Sequence, residues 1–269
     1  MPTDTQNFMA TPKPPHNPDT TKFPNIIGGI HVVRTMLACN SKSIRAVWYD
    51  RANRNKRVTE LLELATELQV PIQDTDRKTL DQTIKTQHQG IAVHIKTPLP
   101  WTEAALYELL EKIKQRAEQP FLLILDEVQD PHNLGACLRT AEAAGVHAVI
   151  APKTNSARLT PIVCKVASGA ADRIPYVQVT NLARTLKQLK AQKLWLVGAT
   201  IETSTKLYQA DLQGPIAILL GNEAKGLRQL TRKHCDYLIS LPMLGVLESL
   251  NVSVAAGIVL YEVVRQRMF

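Results

Sequence analysis

The sequence predicts an α/β fold in two parts, and three observations carry that prediction. Apolar runs of strand length alternate with amphipathic stretches of helix length from Ile26 to Arg267. One of the runs, FLLIL at 121–125, is apolar throughout rather than at alternate positions, as a strand covered on both faces requires. A segment with two prolines, KTPLPWTEA at 96–104, separates a first unit from a second that alternates more plainly.

Residues 1–24 are polar, carry Pro2, Pro12, Pro14, Pro15 and Pro18, and offer almost nothing to bury, which predicts a disordered lead-in. Order begins at Ile26. A helix starts after Gly28-Gly29 and runs through Val32, Val33, Met36 and Leu37, and IRAVWY at 44–49 reads as a strand. A second helix over 56–69 places Val58, Leu61, Leu62, Ala65 and Leu68 on one stripe. Pro71-Ile72 opens a short strand, 76–85 a third helix, and GIAVHI at 90–95 a last strand, so 25–95 form the first domain. Residues 96–119 are read as linker and connecting helix, and 120–269 as the second domain.

In that second domain, FLLIL is followed by a helix over 134–144 that Asn133 can cap and Gly145 can end. HAVIA at 147–151, a helix at 160–170, IPYVQV at 174–179, a helix at 182–191 and LWLVGA at 194–199 come next. PIAILLG, a helix near 224–231, YLISL at 237–241 and a long helix from Leu250 to Arg265 complete it. Such alternation argues for an open, mostly parallel sheet, whose ligands sit beyond the carboxyl ends of its strands. The loops at 126–133, 198–205, 221–226 and 241–250 are therefore the places to look for a site.

Composition narrows the classes. The net charge of +8 is spread over both domains: 12 Lys+Arg against 9 Asp+Glu in 1–95, and 16 against 11 in 120–269. Both are positive enough to lie along a polyanion. Cys39, Cys137, Cys164 and Cys235 are far apart and show no CxxC pair, so they read as buried thiols of a reducing compartment rather than as disulfides or a zinc site. No signal core and no window of 18 apolar residues occurs, which predicts a cytoplasmic protein without a membrane span. The seven histidines lack HExxH or paired-ligand spacing, so no metal is expected.

Three of the loops carry chemistry. In NLGACLR at 133–139, Gly135 permits close approach in the first turn and Arg139 stands four residues on; an arginine there is ordinarily solvated, and its planar guanidinium can also clamp a phosphate. In LLGNEAKGL at 219–227, Gly221 follows a strand directly and Glu223 stands ahead of the expected helix, a junction that suits an adenosine-bearing ligand although it lacks GxGxxG and the GxxxxGK[ST] loop. In LPMLGVLESLNVSVAAG at 241–257, Ser249, Asn251 and Ser253 crowd the start of a helix, more polar groups than capping uses.

Together these blocks resemble the three motifs of the knotted SPOUT methyltransferases, in the order and wording of the SpoU/TrmH branch that methylates ribose 2′-oxygens in RNA. DPHNLGACLRTAEAAGVHAVIAPK, KVASGAADRIP and VTNLARTLKQLK resemble more narrowly the bacterial subfamily that acts on a guanosine in the peptidyltransferase-centre loop of 23S rRNA. GGIHVV at 28–33 and HQGIAVHI at 88–95 are similar to its amino-terminal RNA-binding domain, related in shape to a small ribosomal protein.

The resemblance implies a trefoil knot at the carboxyl end, which periodicity alone excludes because knots are so rare, and a homodimer through the carboxyl-terminal domain with its site across the interface. It implies S-adenosyl-L-methionine (SAM) held mainly by backbone at Gly221, Leu241, Met243 and Leu250, with Thr200 contributing. Arg139 would engage the target ribose and its phosphate; because arginine stays protonated, the phosphate would take the hydroxyl proton while the arginine organises it. Asn133 would hold the motif and the partner's loop, Glu223 would fix the loop architecture or contact Arg139 or the substrate, and Ser249 and Asn251 would position ribose or the SAM-loop backbone. Arg51, Arg54, Lys56 and Arg57, in the densest basic stretch of the chain, would follow phosphates of 23S rRNA or of a large-subunit assembly intermediate. Two rival readings stay open: the same reaction on the D-loop of tRNA, which an amino-terminal domain and an end at Phe269 disfavour, and a non-catalytic RNA-binding or assembly protein, which loss of Arg139 or Asn251 would favour.

Overall fold

Strand β5 (Phe121–Asp126) shows why the larger sheet sits where it does. Phe121, Leu123 and Leu125 enter one apolar layer and Leu122 and Ile124 the opposite one, all buried, so the period of two drives apolar side chains into helices on both faces. In this computed structural model, which describes residues 25–84 and 87–269, the sheet has six strands in the order β10-β8-β9-β5-β6-β7, every pairing parallel. Its remaining strands are β6 (Ala148–Pro152), β7 (Tyr176–Val179), β8 (Trp195–Ala199), β9 (Ile216–Gly221) and β10 (Tyr237–Ile239). Helices α4 (Glu103–Gln115) and α8 (Leu182–Ala191) cover one face through Leu106, Leu110, Ile113, Leu186 and Leu189. Helices α5 (Pro131–Ala143), α6 (Pro161–Ala167) and α10 (Val252–Met268) cover the other, with α7 (Ala170–Arg173) beside them and α9 (Gln229–His234) near α8.

Ahead of it lies a mixed four-stranded sheet in the order β1-β4-β2-β3, in which only β2 and β3 run parallel. It comprises β1 (Ile26–Gly28), β2 (Ile44–Asp50), β3 (Ile72–Thr75) and β4 (Ile91–Ile95), with α1 (Ile30–Asn40), α2 (Lys56–Glu67) and α3 (Arg77–Thr83). Trp101 forms a single parallel bridge to Val177 at the edge of β7, so the segment between the sheets is pinned to the larger one.

Several expectations need correction. Asp130, not Asn133, caps α5, accepting from the His132 amide at 2.9 Å with Pro131 in the first turn; the fixed φ of proline starts the helix earlier and leaves the Asn133 side chain free. The helix expected at 160–170 breaks after Ala167, where Ser168 and Gly169 both take positive φ. The helix expected near 224–231 begins only at Gln229. Residues 222–226 instead close a tight turn: Asn222 Oδ1 accepts from the amides of Ala224 and Lys225, and Gly226 turns left-handed. Cys39 is exposed, whereas Cys137 and Cys164 are buried and Cys235 half-buried. Desolvation pushes the thiols of Cys137, Cys164 and Cys235 up to about 12, which keeps them protonated and inert. The expectation for residues 1–24 lies outside the described residues. Among those described, no helix is long and apolar enough to cross a membrane.

Candidate active site

Parallel strands deliver their following loops to one end of the sheet, so the loops after β8, β9 and β10, which are neighbours in the order β10-β8-β9, meet there. Thr200 donates its amide to the Ile239 carbonyl at 2.9 Å, locking the first of these loops to the third. Between them lies a cavity of about 350 Å³, and all five residues expected from the sequence to hold the cofactor, Thr200, Gly221, Leu241, Met243 and Leu250, line it.

Gly221 is where the backbone must approach closest. A Cβ added there would lie 2.0 Å from the carbonyl carbon of Gly226 and 2.2 Å from the Leu227 nitrogen, so only glycine lets the 222–226 turn fold back on the strand end. Asn222 secures the same turn from outside by donating to the Glu127 carbonyl at 3.0 Å. The walls combine apolar side chains, Leu220, Leu241, Met243, Leu250 and Val252, with charged ones, Glu202, Glu223, Lys225, Arg232 and Glu248. A cavity of this size, apolar on one side and edged by polar and charged groups on the other, fits the apolar and polar parts of SAM.

Asn133, Glu223 and Asn251 converge from three loops. Asn133 donates through Nδ2 to Glu223 Oε1 and accepts through Oδ1 from Asn251 Nδ2 at 3.0 Å. Asn251 also caps α10, its Oδ1 accepting from the Ser253 amide at 2.9 Å and from the Ser253 hydroxyl at 2.6 Å. Glu223 and Ser249 line the cavity, whereas Asn133 and Asn251 brace it from behind.

Arg139 stands apart. It lies six residues beyond Asn133 on α5, about 9 Å along the axis and well round the helix, is exposed, does not line the cavity, and donates to Ser168 Oγ at 3.5 Å. Within one chain the arginine and the cavity are therefore separate features. In the smaller unit Arg51 and Arg54 lie in the segment after β2, and Lys56 and Arg57 begin α2; all four are exposed, and Arg51 pairs with Asp74 at 3.5 Å.

The sequence reading missed the ion pair beneath the site. Asp126, at the carboxyl end of β5 and 0% exposed, accepts from Arg228 Nε at 2.8 Å and from the Arg228 amide at 3.1 Å, while Glu127 pairs with the same guanidinium at 3.1 Å. A carboxylate ending an apolar strand (FLLILD) was the available signal, because such a charge is buried only with a partner. Glu202 and Arg232, paired at 2.5 Å on the cavity rim, were missed as well.

The model of the SpoU rRNA Methylase family matches residues 120–261, and that of the RNA 2′-O ribose methyltransferase substrate binding domain matches residues 26–101. The chain is 51% identical over 247 residues to the 23S rRNA (guanosine-2′-O-)-methyltransferase RlmB of Shewanella oneidensis, covering 91% of this chain and 99% of that one. It is 48% identical over 241 residues to the protein of the same name from Pseudomonas putida, covering 90% and 96%. Among solved structures, the SpoU methyltransferase AviRb of Streptomyces viridochromogenes in complex with AdoMet is similar with a TM-score of 0.64 and 25% identity, over 90% of each chain.

Proposed function

The chain belongs to the SpoU rRNA methylase family and is a SAM-dependent RNA 2′-O-methyltransferase, and we propose that it methylates the ribose 2′-hydroxyl of a guanosine in 23S rRNA, in the peptidyltransferase-centre loop. The observation that carries this reading is the cavity at the strand ends, which joins the second and third motif loops and is tied through Asn133 to the first. The identity to 23S rRNA enzymes, which spans the smaller unit as well as the larger, supports the choice of RNA.

Bound in the cavity, SAM supplies an electrophilic methyl group on sulfur. Thr200, Gly221, Leu241, Met243 and Leu250 would hold it, largely through main chain. Asn133, Glu223 and Asn251 keep the three loops in register, which would hold the ribose hydroxyl and the cofactor in a fixed relation. Ser249, exposed on the cavity wall, orients the ribose. Arg139 binds the target phosphate and ribose and organises proton removal, a neighbouring phosphate oxygen taking the hydroxyl proton while the arginine stays protonated.

Because Arg139 does not line its own chain's cavity, the proposal includes a homodimer in which the arginine of one subunit serves the cavity of the other. Apolar side chains next to the cavity support such a contact: Leu244 and Val246 are 99% and 100% exposed, and Val254 and Tyr261 continue the surface along α10. The trefoil knot belongs to the same reading. Gln266 and Arg267, near the end of α10, bond to Ala210, Leu212, Gly214 and Pro120, while Lys206 bridges to Ser240, which supports passage of the last segment through the 200–215 loop.

The smaller unit, 25–95, is assigned to RNA binding in a ribosomal-protein-like shape, 96–119 to the connection and 120–269 to catalysis. Arg51, Arg54, Lys56 and Arg57 track phosphates, and the substrate is rRNA or a large-subunit assembly intermediate in the cytoplasm. The test is transfer of labelled methyl from SAM to unmodified 23S rRNA and to tRNA, with Arg139→Ala alongside and the product mapped. Label at one ribose of the 23S loop, lost in the variant, is expected; label on tRNA instead, or none on 23S rRNA or an assembly intermediate although SAM binds, would overturn the assignment.

A further inference from the structure

The block KVASGAADRIP takes no part in the cavity, yet it touches both the arginine helix and the amino-terminal unit. At its start Ser168 sits at φ 50°, a left-handed conformation that disfavours any residue with a Cβ, and its hydroxyl is the acceptor 3.5 Å from Arg139 Nη1. Four residues on, the Asp172 carboxylate accepts from Ser43 Oγ at 2.6 Å and from Asn40 Nδ2 at 3.1 Å, both in the amino-terminal unit, and Ser43 is buried. Arg173 then returns to α5, reaching Glu142 at 3.3 Å, three residues beyond Arg139.

The packing beneath is tight. A Cβ on Gly135 of α5 would lie 2.7 Å from the Val166 side chain and 2.9 Å from the Val163 carbonyl, so α5 and α6 touch backbone to backbone and move together. Residues 160–173 are thus wedged between the helix carrying Arg139 and the unit assigned to RNA.

We propose that the Ser168–Asp172 turn couples the two: Ser168 is a positioning residue that pre-orients the Arg139 guanidinium, and Asp172 latches the turn to the amino-terminal unit, so that RNA held there is in register with the arginine. This rests on the reading of Arg139 as the substrate-engaging residue. An exposed arginine samples many rotamers, and an acceptor at the limit of its reach restricts them before substrate arrives. At 3.5 Å the bond is long enough to be exchanged for a phosphate oxygen without a large loss. Asp172 offers a charged acceptor to two neutral donors, a stronger link than neutral groups make.

The test uses the full chain with 23S rRNA. Ser168→Gly, which removes the hydroxyl and relieves the backbone, is expected to lower kcat about threefold to tenfold and leave the KM values for SAM and RNA unchanged. Asp172→Ala and Ser43→Ala are each expected to raise the RNA KM about threefold to tenfold with SAM affinity unchanged, and the double variant to fall short of the two effects combined because both remove the Ser43–Asp172 bond. In an Arg139→Lys background Ser168→Gly is expected to add nothing. Wild-type kcat in Ser168→Gly, additive effects of Asp172→Ala and Ser43→Ala, or a parallel loss of SAM affinity would overturn the coupling. Arg139→Ala separates the two failures: full activity there removes the reading of the arginine itself, whereas an inactive Arg139→Ala beside a fully active Ser168→Gly removes the coupling alone.

Discussion

Asn251 donates its side-chain amide to the Asn133 carbonyl oxygen at 3.0 Å, across 118 residues of chain, while the other end of the Asn133 amide donates to Glu223. One carboxamide thus ties together the start of α5, the turn after β9 and the cap of α10, and both of its polar ends are used. Asn133→Ala is expected to lower methyl transfer about a hundredfold and stability by about 1 kcal/mol, small because the bonds are partly exposed. Asn133→Asp keeps the acceptor for Asn251 but sets a carboxylate against Glu223. Adding Glu223→Gln supplies a donor again, so the double variant is expected to recover activity that Asn133→Asp loses; if it does not, the Asn133–Glu223 bond is not what holds the loops.

Arg139 lies outside the cavity wall. Arg139→Ala is therefore expected to reduce kcat by a hundredfold or more, on the order of 3 kcal/mol of transition-state stabilisation, with the dissociation constant for SAM within about twofold of wild type. Calorimetric SAM titration beside a methyl-transfer assay measures both.

Gly221→Ala would place a methyl group 2.0 Å from the Gly226 carbonyl carbon, against backbone that cannot give way locally. The 222–226 turn must open, so SAM binding is expected to weaken more than tenfold and stability to drop by about 2 kcal/mol. Thermal unfolding with and without SAM reads both effects.

Asp126 is fully buried and Arg228 is its main partner. Arg228→Ala leaves that carboxylate without its cation, and stability is expected to decline by about 2 kcal/mol, below the range for fully buried pairs because the guanidinium side is 41% exposed. Denaturant unfolding measures the change.

Burial holds the His147 pKa below its ordinary 6.5, and its Nδ1 accepts from the Phe121 amide at 3.0 Å, which requires that nitrogen to be unprotonated. A histidine with a lowered folded-state pKa binds fewer protons folded than unfolded, so stability is full above about 6.5 and is lost as pH falls from there toward the folded pKa. Desolvation shifts His94 and His234 in the same direction. Unfolding free energies measured from pH 7.5 to 5 are expected to decrease, with a shallower slope in His147→Gln.

Much was legible in the chain because the relevant signals are local. The apolar runs at 121–125 and 215–221 became the neighbouring central strands β5 and β9, paired from Phe121↔Ile216 to Asp126↔Gly221, since a period of two with both faces apolar admits little else. The five residues expected to hold the cofactor line one cavity because they sit at the carboxyl end of β9 or in the segments that follow β8 and β10, and parallel strands carry such positions to the same end. Local signals also misled: Asn133 looked like a cap until Asp130-Pro131 started the helix three residues earlier, and GNEAKG looked like a helix start until the Asn222 side chain closed a turn. By itself the sequence determined the alternation of elements and which loops would hold the site, for propensity and periodicity act over a few residues. Only the tertiary structure decided that Asn133 would meet Glu223 and Asn251, that Asp126 would be buried against Arg228, and that Asp172 would reach Ser43. Those partners lie about 90 to 130 residues apart, and a polar side chain's partner at that range is chosen by strand order and helix packing, which no local pattern encodes.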